Sequence, residues 1–264
     1  MLHVRSRDGT PIAVETSGSG PALVIVNGAL SDRNTVTPLR PLLDPHFKVI
    51  GYDRRGRGDS GDTLPYAPER ELEDLAAVIE AAEAPAFVYG HSSGAILALR
   101  AALSGVSMRR LAVNEPPFML PGTRPLPPPD ITSRIAERIA ANDRAGALHL
   151  FLSEQVGLPP PALESMQASP VWARMLALAH TTPYDSAVAG DSALPTAALA
   201  KLSLPVLVLN GTASAPWLAD TARALVGALP NARATALEAQ PHSPAPNVLA
   251  PVLVSFFEKT GDSP

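Results

Sequence analysis

The chain contains no cysteine among its 264 residues. Without thiols it can form neither a disulfide nor a site in which thiolates hold a metal ion. Histidine is present, but no two of the six histidines stand at the H-x-x-x-H spacing by which a helix binds zinc. We therefore expect no metal in this protein.

Charge is also scarce. Charged residues make up 17% of the chain, the net charge is −4, and no long run of one sign occurs. Proteins that bind nucleic acid usually carry clustered lysine and arginine on one face. The composition therefore predicts no nucleic-acid partner.

Long apolar segments are missing as well. The opening stretch "MLHVRSRDGT" lacks the apolar core of a secretory signal, and runs such as "ALVIVNGAL" are far shorter than a membrane span; a helix needs roughly 20 apolar residues to cross a bilayer. We expect a soluble, cytoplasmic protein with no membrane partner. The sequence leaves open whether it is a monomer or a homodimer.

What the sequence does contain is a series of short, continuous apolar runs. They lie at 22–28, 47–53, 86–91, 111–115 and 205–211. Continuous runs are typical of strands buried on both faces of a parallel sheet. Residues 69–83 and 93–105 show helical spacing between these runs, and 2–7 with 11–17 indicate an edge hairpin. The pattern predicts an α/β fold: a mostly parallel central sheet with helices on both faces.

This alternation stops after Glu115. Residues 116–204 show no convincing strand, and they begin with a proline cluster followed by helical patterns. We predict a core formed by 1–115 and 205–264, with 116–204 as a helical cap inserted between two strands. Such a cap would cover the carboxyl edge of the sheet, where open α/β sheets bind ligands.

The stretch "GHSSG" at 90–94 matches the G-x-S-x-G motif of serine hydrolases. Its context is the informative part, because the apolar run "AFVY" precedes it and the helical pattern "AILALRAAL" follows it. A nucleophile elbow needs this strand–turn–helix arrangement, which exposes the serine hydroxyl above the sheet. Ser92 is therefore the candidate nucleophile.

A competing motif, "GRGDSG" at 56–61, matches the G-x-G-x-x-G fingerprint of dinucleotide-binding enzymes. That fingerprint requires its last glycine to open a helix facing the pyrophosphate. Here "DTLPYAP" follows, with two prolines where the helix should begin. We therefore expect a loop, and no nucleotide or other cofactor.

A serine hydroxyl needs a base to take its proton, and histidine suits that task near neutral pH. His242 is the candidate, because it follows the last strand-like run, 232–238, and precedes the final helical pattern, 247–259. A loop at that position lies at the same edge of the sheet as Ser92.

With these pieces in place, the chain resembles the α/β-hydrolase superfamily over nearly its whole length. The matching segments are "VNGAL", "DRRGRGDS", "GHSSG" and the late His242. The resemblance implies a Ser–acid–His triad and an oxyanion hole made by two backbone N–H groups. By position, those groups belong to Ala29 and Ser93.

The chain departs from the family where the triad acid usually stands. The segment "LNGTASAPW" at 209–217 offers Ser214 but no acid before Asp220. Some capped members of the family, haloalkane dehalogenases among them, carry the acid one strand earlier, which corresponds to Glu115. We predict Glu115 as the triad acid, with Asp220 and Asp191 as alternatives.

A serine at the elbow favours acyl transfer. The sequence thus predicts a serine hydrolase that cleaves an ester, lactone or thioester of a small, largely apolar molecule through an acyl-enzyme. Two alternatives stay open: another reaction on the same fold, such as carbon–carbon bond hydrolysis or cyclase or lyase chemistry, and a non-catalytic pseudo-hydrolase that only binds.

Overall fold

The computed structural model describes residues 2–82 and 85–259. Eight strands form one sheet: β1 (Leu2–Arg5), β2 (Pro11–Ser17), β3 (Ala22–Val26), β4 (Lys48–Tyr52), β5 (Ala86–His91), β6 (Met108–Asn114), β7 (Val206–Gly211) and β8 (Ala232–Leu237). Their spatial order is β1-β2-β4-β3-β5-β6-β7-β8. The pairings of β2 with β1 and β4 are antiparallel, and all others are parallel.

Helices connect most of these strands. The α-helices are α1 (Arg40–Leu43), α2 (Pro68–Ala81), α3 (Ser93–Leu103), α4 (Ile131–Ala140), α5 (Arg144–Leu150), α6 (Pro160–Gln167), α7 (Val171–Leu178), α8 (Thr182–Ala189), α9 (Thr196–Leu199), α10 (Pro216–Ala228) and α11 (Pro246–Phe257). Short 3₁₀ turns lie at Arg33–Val36 and Ala179–Thr181, and a π-helical segment spans Phe151–Val156.

The central strands are buried on both faces. In β3, Val24 and Val26 belong to one hydrophobic cluster, whereas Leu23 and Ile25 belong to a second cluster on the opposite side. Side chains alternate between the two faces of a strand, so a strand covered on both sides must be apolar throughout. The predicted α/β class with a mostly parallel sheet is therefore confirmed.

The segment between β6 and β7 is built differently. Residues 115–205, all of which the structure describes, contain helices and no strand. A third hydrophobic cluster, which includes Ile135, Leu148 and Phe151, holds α4 to α7 together, whereas Val188 of α8 and Leu199 of α9 belong to a cluster of the core. Ala29 and Leu30, from the loop after β3, pack against this cluster. The helical insert, as we call 116–204, thus contacts the loop in which an oxyanion donor was predicted.

The parallel strands bring their carboxyl ends to one edge of the sheet. Neighbouring strands align Val26 with Gly90, His91 with Asn114, and Asn114 with Leu209. The residues that follow these strands therefore lie side by side, although they are far apart in sequence. In the described ranges, no helix has both the length and the apolar character needed to cross a membrane.

Candidate active site

Ser92 occupies a sharp turn between β5 and α3. Its backbone angles, φ 55° and ψ −124°, are unusual for a residue with a side chain. The turn is held from both sides: the Ser92 N–H donates to the Asn114 carbonyl at 2.9 Å, and the Ser92 carbonyl accepts from the Ala95 N–H at 2.9 Å. This is the strained conformation that a nucleophile elbow requires.

Two glycines allow the chain to pack closely around this turn. A Cβ atom on Gly94 would lie 2.3 Å from the Val26 carbonyl oxygen, so α3 approaches the end of β3 at a distance only glycine permits. A Cβ on Gly28 would lie 3.0 Å from the Cβ of Ser92. The loop after β3 is therefore pressed directly against the elbow.

Glu115 directly follows β6, and its side chain is buried. One carboxylate oxygen accepts from the Gly211 N–H at 2.7 Å, and the other pairs with Nδ1 of His242 at 2.5 Å. Burial raises the pKa of Glu115, but the hydrogen bonds from His242 and Gly211, together with the nearby Ser214 hydroxyl, outweigh it and hold this pKa below its ordinary value. The Ser214 hydroxyl lies beside the carboxylate without meeting full hydrogen-bond geometry. Glu115 is thus an ionised acid placed against an imidazole.

His242 lies in the loop between β8 and α11. The loop is fixed to the neighbouring strand end, because the Asn114 side-chain amide donates to the His242 carbonyl at 3.1 Å. Since Nδ1 faces Glu115, Nε2 is the nitrogen left for other partners. The described contacts include no hydrogen bond between Ser92 and His242; such catalytic contacts often tighten only when substrate binds.

The alternative acids lie elsewhere. Asp220 is on α10, where it forms an ion pair with Arg223. Asp191 accepts a hydrogen bond from the N–H of Ala193. Neither contacts His242 in the part of the chain that the structure describes, so Glu115 is the acid that the fold brings to the histidine.

The two predicted oxyanion donors stand on either side of the elbow. Ser93 is the first residue of α3 and is buried, whereas Ala29 is half-buried in the loop after β3. The Gly28 carbonyl, in the peptide that also carries the Ala29 N–H, accepts from Nη1 of Arg57 at 2.9 Å. Both peptides are thus held in place by the surrounding structure.

The sequence reasoning missed His91 and Asn114. The rings of His91 and His242 lie 4.7 Å apart, and Asn114 donates to His91 Nδ1 at 3.0 Å. Burial lowers the pKa of His91 to about 3, and the neighbouring His242 acts in the same direction, so the His91 ring is neutral near pH 7. The only sequence signal was adjacency, since each residue directly precedes a predicted catalytic one.

The glycine-rich segment at 56–61 is a loop. The Gly56 N–H donates to the Gly61 carbonyl at 3.0 Å, and the next helix, α2, begins only at Pro68. A Cβ on Gly58 would lie 2.1 Å from the carboxylate of Asp53, which explains a glycine there by packing alone. The segment therefore lacks the helix that a dinucleotide fingerprint needs. Within 2–82 and 85–259, no cluster of three or more candidate metal ligands is found.

Comparison with known proteins agrees with this fold. The model of the alpha/beta hydrolase family matches residues 23–252. A solved alpha/beta hydrolase from Sphaerobacter thermophilus DSM 20745 is 54% identical and superimposes with a TM-score of 0.94, covering 97% of this chain and 100% of that one. A hydrolase from Pseudomonas aeruginosa PA01 is 25% identical with a TM-score of 0.77, covering 98% of each chain.

Among curated proteins, a pimeloyl-[acyl-carrier protein] methyl ester esterase from Xanthomonas campestris pv. campestris is 36% identical over 101 residues. That match spans 38% of this chain and 38% of the relative. The family model, in contrast, covers most of the chain, including the elbow, the acid and the histidine. The chain therefore belongs to the α/β hydrolase family.

Proposed function

We propose that this chain is a serine hydrolase that cleaves an ester, lactone or thioester bond through an acyl-enzyme. The observation that carries the proposal is the buried Glu115 carboxylate paired with His242 at 2.5 Å, beside the strained Ser92. Hydrogen bonds from Gly211 and His242 keep this buried carboxylate ionised. In a triad such a carboxylate stabilises the imidazolium that forms during the reaction.

In the proposed reaction, Nε2 of His242 takes the proton from Ser92 Oγ as this oxygen attacks the substrate carbonyl carbon. The tetrahedral oxyanion is bound by the N–H groups of Ala29 and Ser93. When the intermediate collapses, His242 gives its proton to the departing alcohol, or to the thiol in a thioester. His242 then removes a proton from water, which attacks the acyl-enzyme, and the acid leaves as Ser92 regains its proton.

Glu115 has two tasks in this scheme. It accepts a hydrogen bond from the Nδ1–H of His242, which fixes the tautomer that leaves Nε2 free to act as base. It also balances the positive charge on the ring in each tetrahedral step. No metal or organic cofactor takes part in the proposed reaction.

We further propose that the helical insert acts as a cap and shapes the substrate pocket. The support is the packing of Ala29 and Leu30 against the apolar cluster of the insert. A small, largely apolar acyl or alcohol group suits such surroundings. The esterase relative supports the bond class, since its name describes cleavage of a methyl ester.

Turnover of a panel of p-nitrophenyl esters with short to medium acyl chains tests the proposal. Wild type should hydrolyse at least one of them, and Ser92→Ala should reduce kcat by at least about 10³-fold. Ser104→Ala, at the other end of α3, is the matched control and should keep full activity. A folded wild type that turns over no ester would favour the binding pseudo-hydrolase, and an active Ser92→Ala would exclude Ser92 as nucleophile.

A further inference from the structure

A buried cluster of four charged side chains lies directly beneath the elbow. Its members are Arg54 and Arg57 from the loop after β4, Glu71 from α2, and Asp185 from α8 of the helical insert. Each is 2% exposed or less. Arg54 binds Glu71 through two contacts of 2.6 and 2.7 Å. Asp185 is the one member supplied by the insert, and it reaches both arginines.

One carboxylate oxygen of Asp185 is connected through Arg57 to the Gly28–Ala29 peptide, which carries the first predicted oxyanion donor. Asp185 Oδ2 accepts from Arg57 Nη2 at 2.8 Å, and Nη1 of the same guanidinium donates to the Gly28 carbonyl at 2.9 Å. A trans peptide is planar, so its C=O and N–H point to opposite sides. A bond that fixes the Gly28 carbonyl therefore also fixes the direction of the Ala29 N–H.

The other carboxylate oxygen contacts Ser93, the residue whose N–H is the second predicted oxyanion donor. Asp185 Oδ1 accepts from the Ser93 hydroxyl at 2.8 Å and from Arg54 Nη1 at 2.9 Å. Ser93 is the first residue of α3, and its N–H is the second predicted donor. The hydroxyl bond anchors this residue from below. A single carboxylate thus contacts the supports of both donors.

The charge state of Asp185 fits this arrangement. Burial alone would raise the pKa of its carboxyl, but Arg57 and Arg54 outweigh burial and keep it below the ordinary value. The carboxylate is therefore ionised at neutral pH and accepts from all three donors at once. A neutral amide at this position has a single acceptor oxygen and would lose part of the set.

We propose that Asp185 is a positioning residue for the oxyanion hole: it holds the Ala29 N–H through Arg57 and the Ser93 N–H through the Ser93 hydroxyl. This inference rests on the proposed function. On this proposal the helical insert contributes to the chemical step, because packing of α8 against the core brings Asp185 to the groups that orient both N–H donors. An ion pair that merely attached the insert to the core would instead affect folding and substrate affinity.

The test uses Asp185→Asn, Arg57→Lys and Ser93→Ala in the full chain. The concentration of active sites is titrated with a fluorophosphonate, so that each rate is expressed per functional molecule. Ser93→Ala keeps the backbone N–H but loses the hydroxyl bond. Tyr184→Phe is the control: it removes another contact between α8 and the core, the 2.8 Å hydrogen bond to Asp62, without touching either peptide. Three quantities are compared: kcat and KM for an ester, and Ki for a trifluoromethyl ketone that forms a tetrahedral oxyanion with the serine.

Loss of one oxyanion donor typically lowers kcat by about 10²–10³-fold. We expect Asp185→Asn and Arg57→Lys to lose at least about tenfold in kcat, with KM changed less than about threefold, and Ser93→Ala to lose about three- to tenfold. The trifluoromethyl ketone Ki should rise by the factor by which kcat/KM falls. Tyr184→Phe should leave all three quantities near wild type.

Normal kcat and Ki per titrated site in Ser93→Ala and Arg57→Lys would overturn the inference, and so would losses confined to KM. These two variants keep the test decisive if Asp185→Asn does not fold. A wild type that reacts with neither ester nor fluorophosphonate would overturn the proposed function and the inference with it. A reactive wild type with unaffected variants would overturn the inference alone.

Discussion

Glu115 is a residue whose surroundings are hard to explain by stability alone. It has a positive φ of 47°, a buried carboxylate, and a polar partner on each oxygen. Among the described residues, six non-glycine positions have positive φ, and four of them (Leu30, Ser92, Glu115 and Ala239) lie at or beside the candidate site. Backbone strain concentrated in this way is typical of functional sites.

Removing the charge on Glu115 tests whether it is the triad acid. Glu115→Gln keeps the shape of the side chain but removes the charge and can stabilise the wrong tautomer of His242. In one serine protease, the corresponding amide substitution lowered kcat by about 10⁴. We expect a loss of about 10²–10⁴ in kcat here, measured at saturating ester.

Asp220→Asn provides the matched control, because it makes the same chemical change in the competing acid. It should retain near-normal kcat, since Asp220 contacts Arg223 and not His242. Ser214→Ala should lower kcat much less than Glu115→Gln does, because the serine lies beside the carboxylate but supplies no charge. An inactive Asp220→Asn beside an active Glu115→Gln would show that Glu115 is structural.

The sequence predicted the residues proposed to carry out the reaction, but not the residues that keep those groups in position. Ser92, His242 and Glu115 could be singled out because each is a reactive residue type at the end of a strand-like run. Asp185 could not, because it lies in α8, 92 residues beyond the Ser93 hydroxyl that it accepts from. Nothing in a single sequence marks one aspartate of a helix as the partner of a distant loop.

At the scale of elements, the elbow depends on how closely α3 approaches β3. Gly94 is the contact point, and a Cβ there would lie 2.3 Å from the Val26 carbonyl oxygen. A backbone atom cannot move aside as a flexible side chain can. The helix would have to shift away from the sheet, and Ser92 would move with it.

We therefore expect Gly94→Ala to destabilise the protein by roughly 2 kcal/mol or more and to abolish ester turnover. The control is Gly227→Ala in α10, where a Cβ would meet nothing within 4 Å. Replacing an interior helical glycine by alanine should stabilise the protein by about 0.5–1 kcal/mol. Urea unfolding of both variants checks the pair, and equal stabilities would contradict the close approach.

For the whole molecule, the positions of the strands follow from the hydrophobic pattern, whereas the pairing of the buried charges does not. Every strand-like run seen in the sequence became a strand, because apolar runs of five or six residues have few other ways to be buried. Strand β6 begins at Met108, three residues before the predicted start, because Arg109 and Arg110 interrupt the apolar run by which the strand was located. That 116–204 acts as a cap, that the protein is cytoplasmic, and that it works as a monomer or homodimer stay predictions.

The buried carboxylates make a prediction about acid stability. Glu71, Asp185 and Glu115 all have pKa values held below their ordinary range in the fold. The unfolded chain, with ordinary pKa values of about 3.9–4.3, therefore takes up protons first as the pH falls. The stabilisation is complete above those values and is lost as the pH drops through the lower, folded values.

Urea unfolding between pH 6 and pH 3.5 should thus show a falling free energy of unfolding for the wild type. Glu115→Gln lacks one of the three groups, so its stability should fall less steeply over the same range. Parallel curves for the two proteins would show that the charge on Glu115 adds nothing to the folded state.

The most direct test of the proposed serine chemistry is to identify the residue that a serine-directed probe modifies covalently. Wild-type protein is incubated with a fluorophosphonate probe, and the labelled peptide is located by mass spectrometry, with Ser92→Ala treated in parallel. The serine-hydrolase mechanism predicts one probe per chain on Ser92, fast labelling that slows markedly in Glu115→Gln, and no label in Ser92→Ala. A folded wild type that stays unlabelled, or a label on any other residue, would contradict it.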